Sequence, residues 1–142
     1  MSRPSLSKEE LFEYMRRHRY AVISSVSPSG TPEAAVVGFT VSPALEIVFD
    51  TVNTSRKYSN LTANPAAAAV IWAGETTVQF EGVAEEARGA ERERIREVYF
   101  EAWPDGRDRL SWPGITHFVI RPKWIRYTDF TQSPPLVEEF RF

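Results

Sequence analysis

Apolar and polar positions alternate, run together, or recur at helical spacing in distinct blocks along the 142 residues. Ser7 followed by Glu10 forms a capping-box pattern, and Leu11, Phe12, Met15 and His18 fall on one helical stripe. The basic group Arg16, Arg17 and Arg19 then sits where cations complement a helix C-terminus, so residues 1–19 predict an N-terminal helix. Tyr20–Val26 predicts a strand, closed by the turn Ser27-Pro-Ser-Gly30. Glu33–Val41 is almost continuously apolar, as expected of a strand covered on both faces, and Leu45–Thr51 predicts a third strand. A short helix over Ser55–Ala63 stops at Asn64-Pro65. Ala66–Trp72 predicts a fourth strand and Thr76–Glu86 a fifth, with Gly82 marking a bulge or close approach. Ala90–Trp103 carries Ile95, Val98, Tyr99, Ala102 and Trp103 on one face, an amphipathic helix. A loop through Trp112-Pro-Gly114 leads to a last long strand, Ile115–Tyr127, and residues 131–142 form a tail wrapping a surface. Six mostly antiparallel strands with three helices predict a mainly β (α+β) fold, a six-stranded antiparallel split barrel with flanking helices. The length suits a single domain over 1–142.

Charge narrows the partners. Lys and Arg number 17 against 19 Asp and Glu, a formal charge of −2, so no basic surface for nucleic acid is expected. The longest wholly apolar run, Ala66–Ala73, is too short to cross a bilayer, so no membrane span is expected. Met1–Glu10 holds no hydrophobic segment and reads as a cytoplasmic start. With no cysteine, disulfides, thiol nucleophiles, iron–sulfur clusters and thiolate zinc sites are excluded. Two distant histidines, His18 and His117, make a histidine-rich metal centre unexpected, and no metal site is assigned; carboxylate-bound ions stay open. The glycines form neither a dinucleotide fingerprint nor a phosphate-binding loop, and no nucleophile elbow is present. Nothing supports a Ser-His-Asp triad around His117, which reads as a structural hydrogen-bonding residue.

The informative segment runs from Phe49 to Pro65. Thr54 or Ser55 caps a helix there, leaving free N–H groups at the positive end of the dipole. Arg56 and Lys57 occupy its first turn, where cations are normally disfavoured. A phosphate would resolve that conflict by accepting from the N–H groups, the hydroxyls and both cations. The alternative is that Arg56 and Lys57 pair with surface carboxylates such as Asp50.

Taken together, the Ser-Pro-x-Gly turn, the strand ending Phe49-Asp-Thr51, the run Ser55-Arg-Lys-x-x-Asn-Leu-x-x-Asn-Pro65, Thr77-Val-Gln-Phe-Glu-Gly-Val-Ala-Glu85 and Phe118–Asp129 resemble the pyridoxamine 5′-phosphate oxidase-related FMN-binding split-barrel family. The resemblance covers roughly Tyr20–Phe130. It implies FMN as cofactor, its phosphate held by Ser55, Arg56 and Lys57. Asp50 and Thr51 match a Tyr-Thr pair beside the cofactor, and Val36, Val37, Gly38, Phe39 and Thr40 occupy the strand bordering the isoalloxazine ring. Thr77 and Gln79 fall where the family has a Gln-Val-Arg run. The oxidases carry Arg and Lys at the ends of the ring-bordering strand, where this chain has Ala35 or Val36 and Thr40. They also end in an Arg-x-x-x-Arg-Leu-His-type motif for the vitamin B6 substrate, which Pro134–Phe142 lacks.

The implied function is a flavin-dependent oxidoreductase acting on a small molecule other than a B6 vitamer. The alternatives are a deazaflavin-dependent reductase, which related split barrels represent, and a non-catalytic flavin-binding protein. In the family the flavin lies between two subunits, so a homodimer is expected. The stripe Ile95, Val98, Tyr99, Trp103 and the strand Ala34–Phe39 supply apolar surface for it. Trp103 reads as core, Trp72 and Trp124 as core or interface, and Trp112 as loop packing or a cover for a flavin face.

Overall fold

The structure, a computed structural model, describes residues 5–142; the first four residues of the expected N-terminal helix lie outside them. Seven strands make one antiparallel sheet: β1 (Tyr20–Val26), β2 (Pro32–Val41), β3 (Ile47–Val52), β4 (Ala66–Ala73), β5 (Thr76–Glu86), β6 (Ile115–Asp129) and β7 (Leu136–Arg141). Their order is β3-β2-β1-β4-β5-β6-β7, and an added β3–β6 pairing closes the first six into a barrel. The helices are α1 (Lys8–Arg16), α2 (Arg56–Ala63) and α3 (Gly89–Ala102).

The expected six-stranded barrel is present, with four local differences. The tail is a strand: Leu136–Arg141 pairs with Asp129–Trp124 of β6. The loop after α3 is wound into a 3₁₀ helix, Pro104–Ser111. The third strand starts at Ile47 rather than Leu45, because Leu45 closes the preceding turn at φ 63°, a backbone region bulky side chains rarely enter. Helix α1 keeps its capping box, Ser7 and Glu10 exchanging hydrogen bonds of 3.1 Å, but ends at Arg16. Arg19 lies beyond it and stacks over the Trp103 ring at 3.8 Å.

Strand alternation sorts residues between two cores. Ile47 and Phe49 point into the barrel with Phe39, Ile71, Phe80 and Ile125. Val48 and Val119 point the other way, against Ile95, Tyr99 and Phe100 of α3. The stripe on α3 is thus covered by this chain's own sheet. Gly82 sits at the β5–β6 register shift, where a Cβ would lie 2.2 Å from the Arg121 carbonyl oxygen, so only glycine fits.

One feature positions the site. β2 pairs with β1 over Pro32–Gly38 and with β3 only over Phe39–Val41. Beyond that point β3 stays with β6 alone, and α2 follows directly from it. The Phe39 N–H donates toward β1, to the Arg19 carbonyl at 3.0 Å. Antiparallel alternation therefore turns the backbone groups of Ala34, Val36 and Gly38 toward the open edge. No strand among the described residues pairs with that stretch.

Candidate functional site

Between the open edge of β2 and the start of α2 lies a cavity of about 220 Å³, lined in part by Ser25, Glu33, Ala35, Arg56 and Lys57. Ser55 is the helix N-cap: its Oγ accepts from the Tyr58 N–H at 3.2 Å and from the Thr51 hydroxyl at 2.8 Å. With both lone pairs used, the Ser55 hydroxyl hydrogen remains available as a donor. The N–H groups of Arg56 and Lys57 are the first two of the helix and have no intrahelical acceptor.

The partner of Arg56 is Glu33, not Asp50. The Arg56 Nε donates to Glu33 Oε1 at 3.1 Å, and Nη2 bonds Oε2. Asn60, buried one turn along α2, donates its Nδ2 to the same Oε1 at 2.8 Å and to the Ser25 hydroxyl at 3.0 Å. The hydrogen bond from Arg56, then that from Asn60, holds the Glu33 carboxyl below the usual carboxylate range, and Glu33 raises Arg56 in return. Lys57 has no carboxylate partner among the described residues. Two signals in the sequence mark the residues missing from that expectation: the alternation Glu33, Ala35, Val37 places the Glu33 charge on the inward face of β2, and Asn60 stands at i+4 from Arg56.

The other expected site residues divide. Thr51 joins the Ser55 cluster. Asp50, one residue earlier, faces α3: its Oδ2 accepts from Arg109 Nε at 2.7 Å and its Oδ1 from the Tyr99 hydroxyl at 3.3 Å. Arg109 also donates to the Tyr99 oxygen at 3.1 Å. His117, opposite Asp50 on β6, is 1% exposed, and burial lowers its pKa to about 4, leaving a neutral imidazole. Its Nδ1 receives a long hydrogen bond from Arg96.

Of the residues expected to border the ring, Val37 and Phe39 point into the barrel core and Thr40 is buried. Gly38 lies beneath Trp103, whose Cζ2 would be 2.8 Å from an added Cβ and whose Nε1 donates to the Phe39 carbonyl at 2.9 Å. Val36 is 67% exposed on the outer face. Thr77 and Gln79 share that outer face, opposite Trp72 and Val70 of β4, and do not line the cavity. Val36, Val70 and Trp72, with Tyr20 and Val22, form an apolar band on that face, Trp72 being 62% exposed.

A small closed barrel whose second strand parts from its third around a helix start defines a split-barrel protein. The pyridoxamine 5′-phosphate oxidase family model matches residues 7–129, and the chain belongs to that family. A comparison with curated proteins gives no match. Among solved structures, a heme binding protein from Mycobacterium smegmatis superposes with a TM-score of 0.82 at 19% identity; the match covers 99% of this chain and 60% of that one. A pyridoxamine 5′-phosphate oxidase-related, FMN binding protein from Nostoc punctiforme gives 0.69 at 12% identity, covering 93% of each chain. General Stress Protein 26 from Bacillus anthracis gives 0.73 at 19% identity, covering 94% of this chain and 98% of that one. At these identities the likeness is one of fold. No helix among the described residues is long and apolar enough to cross a membrane.

Proposed function

We propose that this chain binds FMN and works as a flavin-dependent oxidoreductase on a small molecule, as a homodimer with the cofactor at the subunit interface. The observation that carries the reading is the cavity where Arg56 and Lys57, in the first turn of the helix that Ser55 caps, meet the open edge of β2. Its donors suit a phosphate. The Ser55 hydroxyl, the first N–H groups of α2, the Lys57 ammonium and the unoccupied edge of the Arg56 guanidinium all donate, and none competes as an acceptor. The outward-turned backbone groups of Val36 and Gly38 would meet the polar edge of the ring system. When bound, the flavin supplies hydride and electron transfer; the chain's part is to hold and orient it and to limit water. The Nostoc relative, an FMN binding protein of the same fold, supports this choice. The Mycobacterium relative binds heme, but His117 here is sealed beneath α3 between Tyr99 and Phe100, and so offers no axial ligand at the surface.

The dimer reading rests on the outer band of Tyr20, Val22, Val36, Val70 and Trp72, an apolar sheet face of the kind a second copy would cover. A monomer at micromolar concentration with flavin still bound, by sedimentation equilibrium, would remove it.

FMN binding is read from the two-band absorbance of the purified protein and from titration. Arg56→Ala should weaken FMN by at least about tenfold and leave riboflavin, which has no phosphate, nearly unchanged. Equal losses for both ligands, or none, would sink the phosphate assignment. A protein that takes up deazaflavin and not FMN would move the reading to the deazaflavin-dependent reductases. A flavin that no nicotinamide donor reduces would favour a binding protein without turnover.

A further inference from the structure

Glu33 is an unexpected occupant of a phosphate cavity. Its side chain is 20% exposed, its two oxygens take the Nε–Nη2 edge of Arg56, and Asn60 supplies a third hydrogen bond. A guanidinium can grip an anion through two edges, Nε with one Nη or the two Nη nitrogens together. Glu33 uses the first and leaves the second. The carboxylate also cancels one of the two cationic charges at the start of α2, so the cavity presents one net positive charge from Glu33, Arg56 and Lys57.

We infer that Glu33 is a specificity-determining residue that removes most of the advantage a doubly charged phosphate monoester would otherwise have in this cavity over a singly charged phosphate, such as a phosphodiester. This rests on the phosphate reading proposed above and goes beyond it, because charge number, not the presence of a phosphate, is what Glu33 selects. A dianion on the open edge of Arg56 lies close to the Glu33 carboxylate, across a guanidinium both must share. A monoanion meets half that repulsion and still finds Lys57, the Ser55 hydroxyl and two N–H groups. Asn60, anchored on Ser25, keeps the carboxylate from swinging away.

The test uses three probes that share one ring system: riboflavin, FMN and the methyl ester of FMN, which keeps the phosphate but carries a single charge. Affinities are read by quenching of flavin fluorescence, so no turnover is needed. The wild-type protein should favour FMN over its methyl ester by no more than about threefold. Glu33→Gln, which keeps size and hydrogen bonding but removes the charge, should tighten FMN by about three- to tenfold, the ester less, and riboflavin not at all. Glu33→Asp keeps the charge and should leave the FMN-to-ester ratio as in the wild type. Melting temperatures near that of the wild type establish that both variants fold.

Other results overturn the inference in distinguishable ways. If Glu33→Gln weakens FMN and spares riboflavin, Glu33 serves to aim Arg56 and not to set charge. If Glu33→Asp tightens FMN as much as Glu33→Gln does, geometry is responsible. If Glu33→Gln changes nothing while Arg56→Ala still loses FMN, the phosphate reading stands and the charge selection falls. If Arg56→Ala is also without effect, both fall.

Discussion

The two faces of β3 carry opposite kinds of polar chemistry within two consecutive residues. Asp50 points toward α3, where it accepts from Arg109 and the Tyr99 hydroxyl, with His117 opposite it across the ladder. Thr51 points the other way to Ser55, the N-cap of the helix whose first turn lines the cavity; there Arg56 is 78% exposed and Lys57 has no acidic partner among the described residues. On the first face the charges satisfy one another, and their role is to fix the 3₁₀ helix and α3 against the barrel. On the second, the cations outnumber the carboxylate that restrains them. Charge that is fully matched holds structure; charge left over is available to a ligand.

The largest effect is expected on the closed face. Tyr99→Ala removes a buried ring packed against Phe100, Trp103 and His117 and strips Asp50 and Arg109 of a shared partner. Unfolding in urea should show a loss of about 3–5 kcal/mol with little change in slope. A loss below 1 kcal/mol would mean that this face is not closed.

Next comes the acid response of His117. Its folded pKa of about 4 lies below the unfolded value of 6.5, so below pH 6.5 the unfolded chain takes up a proton that the folded chain refuses. Stability from this group is therefore whole above pH 6.5 and drains away as pH falls toward 4. Between pH 7.5 and 4.5 the loss should be roughly 2–3 kcal/mol greater in the wild type than in His117→Gln, which cannot titrate. Parallel pH profiles for the two proteins would contradict the burial of a neutral imidazole.

The smallest effect belongs to the open face. Arg56→Ala should move the melting temperature of the ligand-free protein by less than about 2 °C, since an exposed ion pair contributes little to folding. Paired with its expected effect on FMN, that result would separate binding charge from structural charge in one variant. A drop as large as that of Tyr99→Ala would make the two faces alike.

Much of this architecture was legible along the chain, and the parts that were not share a cause. The strands of the barrel follow from alternation and turn residues, and Gly82 was marked as a bulge because a glycine inside a strand pattern needs a reason. β7 does not stand out along the chain, because Ser133-Pro-Pro135 precedes it and Glu138 interrupts the half-buried apolar positions of Leu136 and Phe140. The Ser55-Arg56-Lys57 cluster was legible because a helix start and its first turn are local. Glu33 was not, because it stands 23 residues from Arg56, and only the parting of β2 from β3 brings them together. Asp50 was the nearer candidate, but alternation turns it to the opposite face.

The long sixth strand has a consequence for how the chain acquires its form. β6 supplies the pairing partner of both β3 and β5, and β3 meets it across a span in which Ile47 faces Ile120. Until Ile115–Asp129 has been synthesised, β1 to β5 can zip into an open ribbon, but neither terminal edge of that ribbon has a neighbour. Barrel closure is then a late, long-range event, the kind of step that slows folding and leaves sticky edges bare meanwhile. A chain stalled on the ribosome before Ile115 should therefore be protease-sensitive along β3 and prone to join other nascent chains, while one released beyond Asp129 closes on itself.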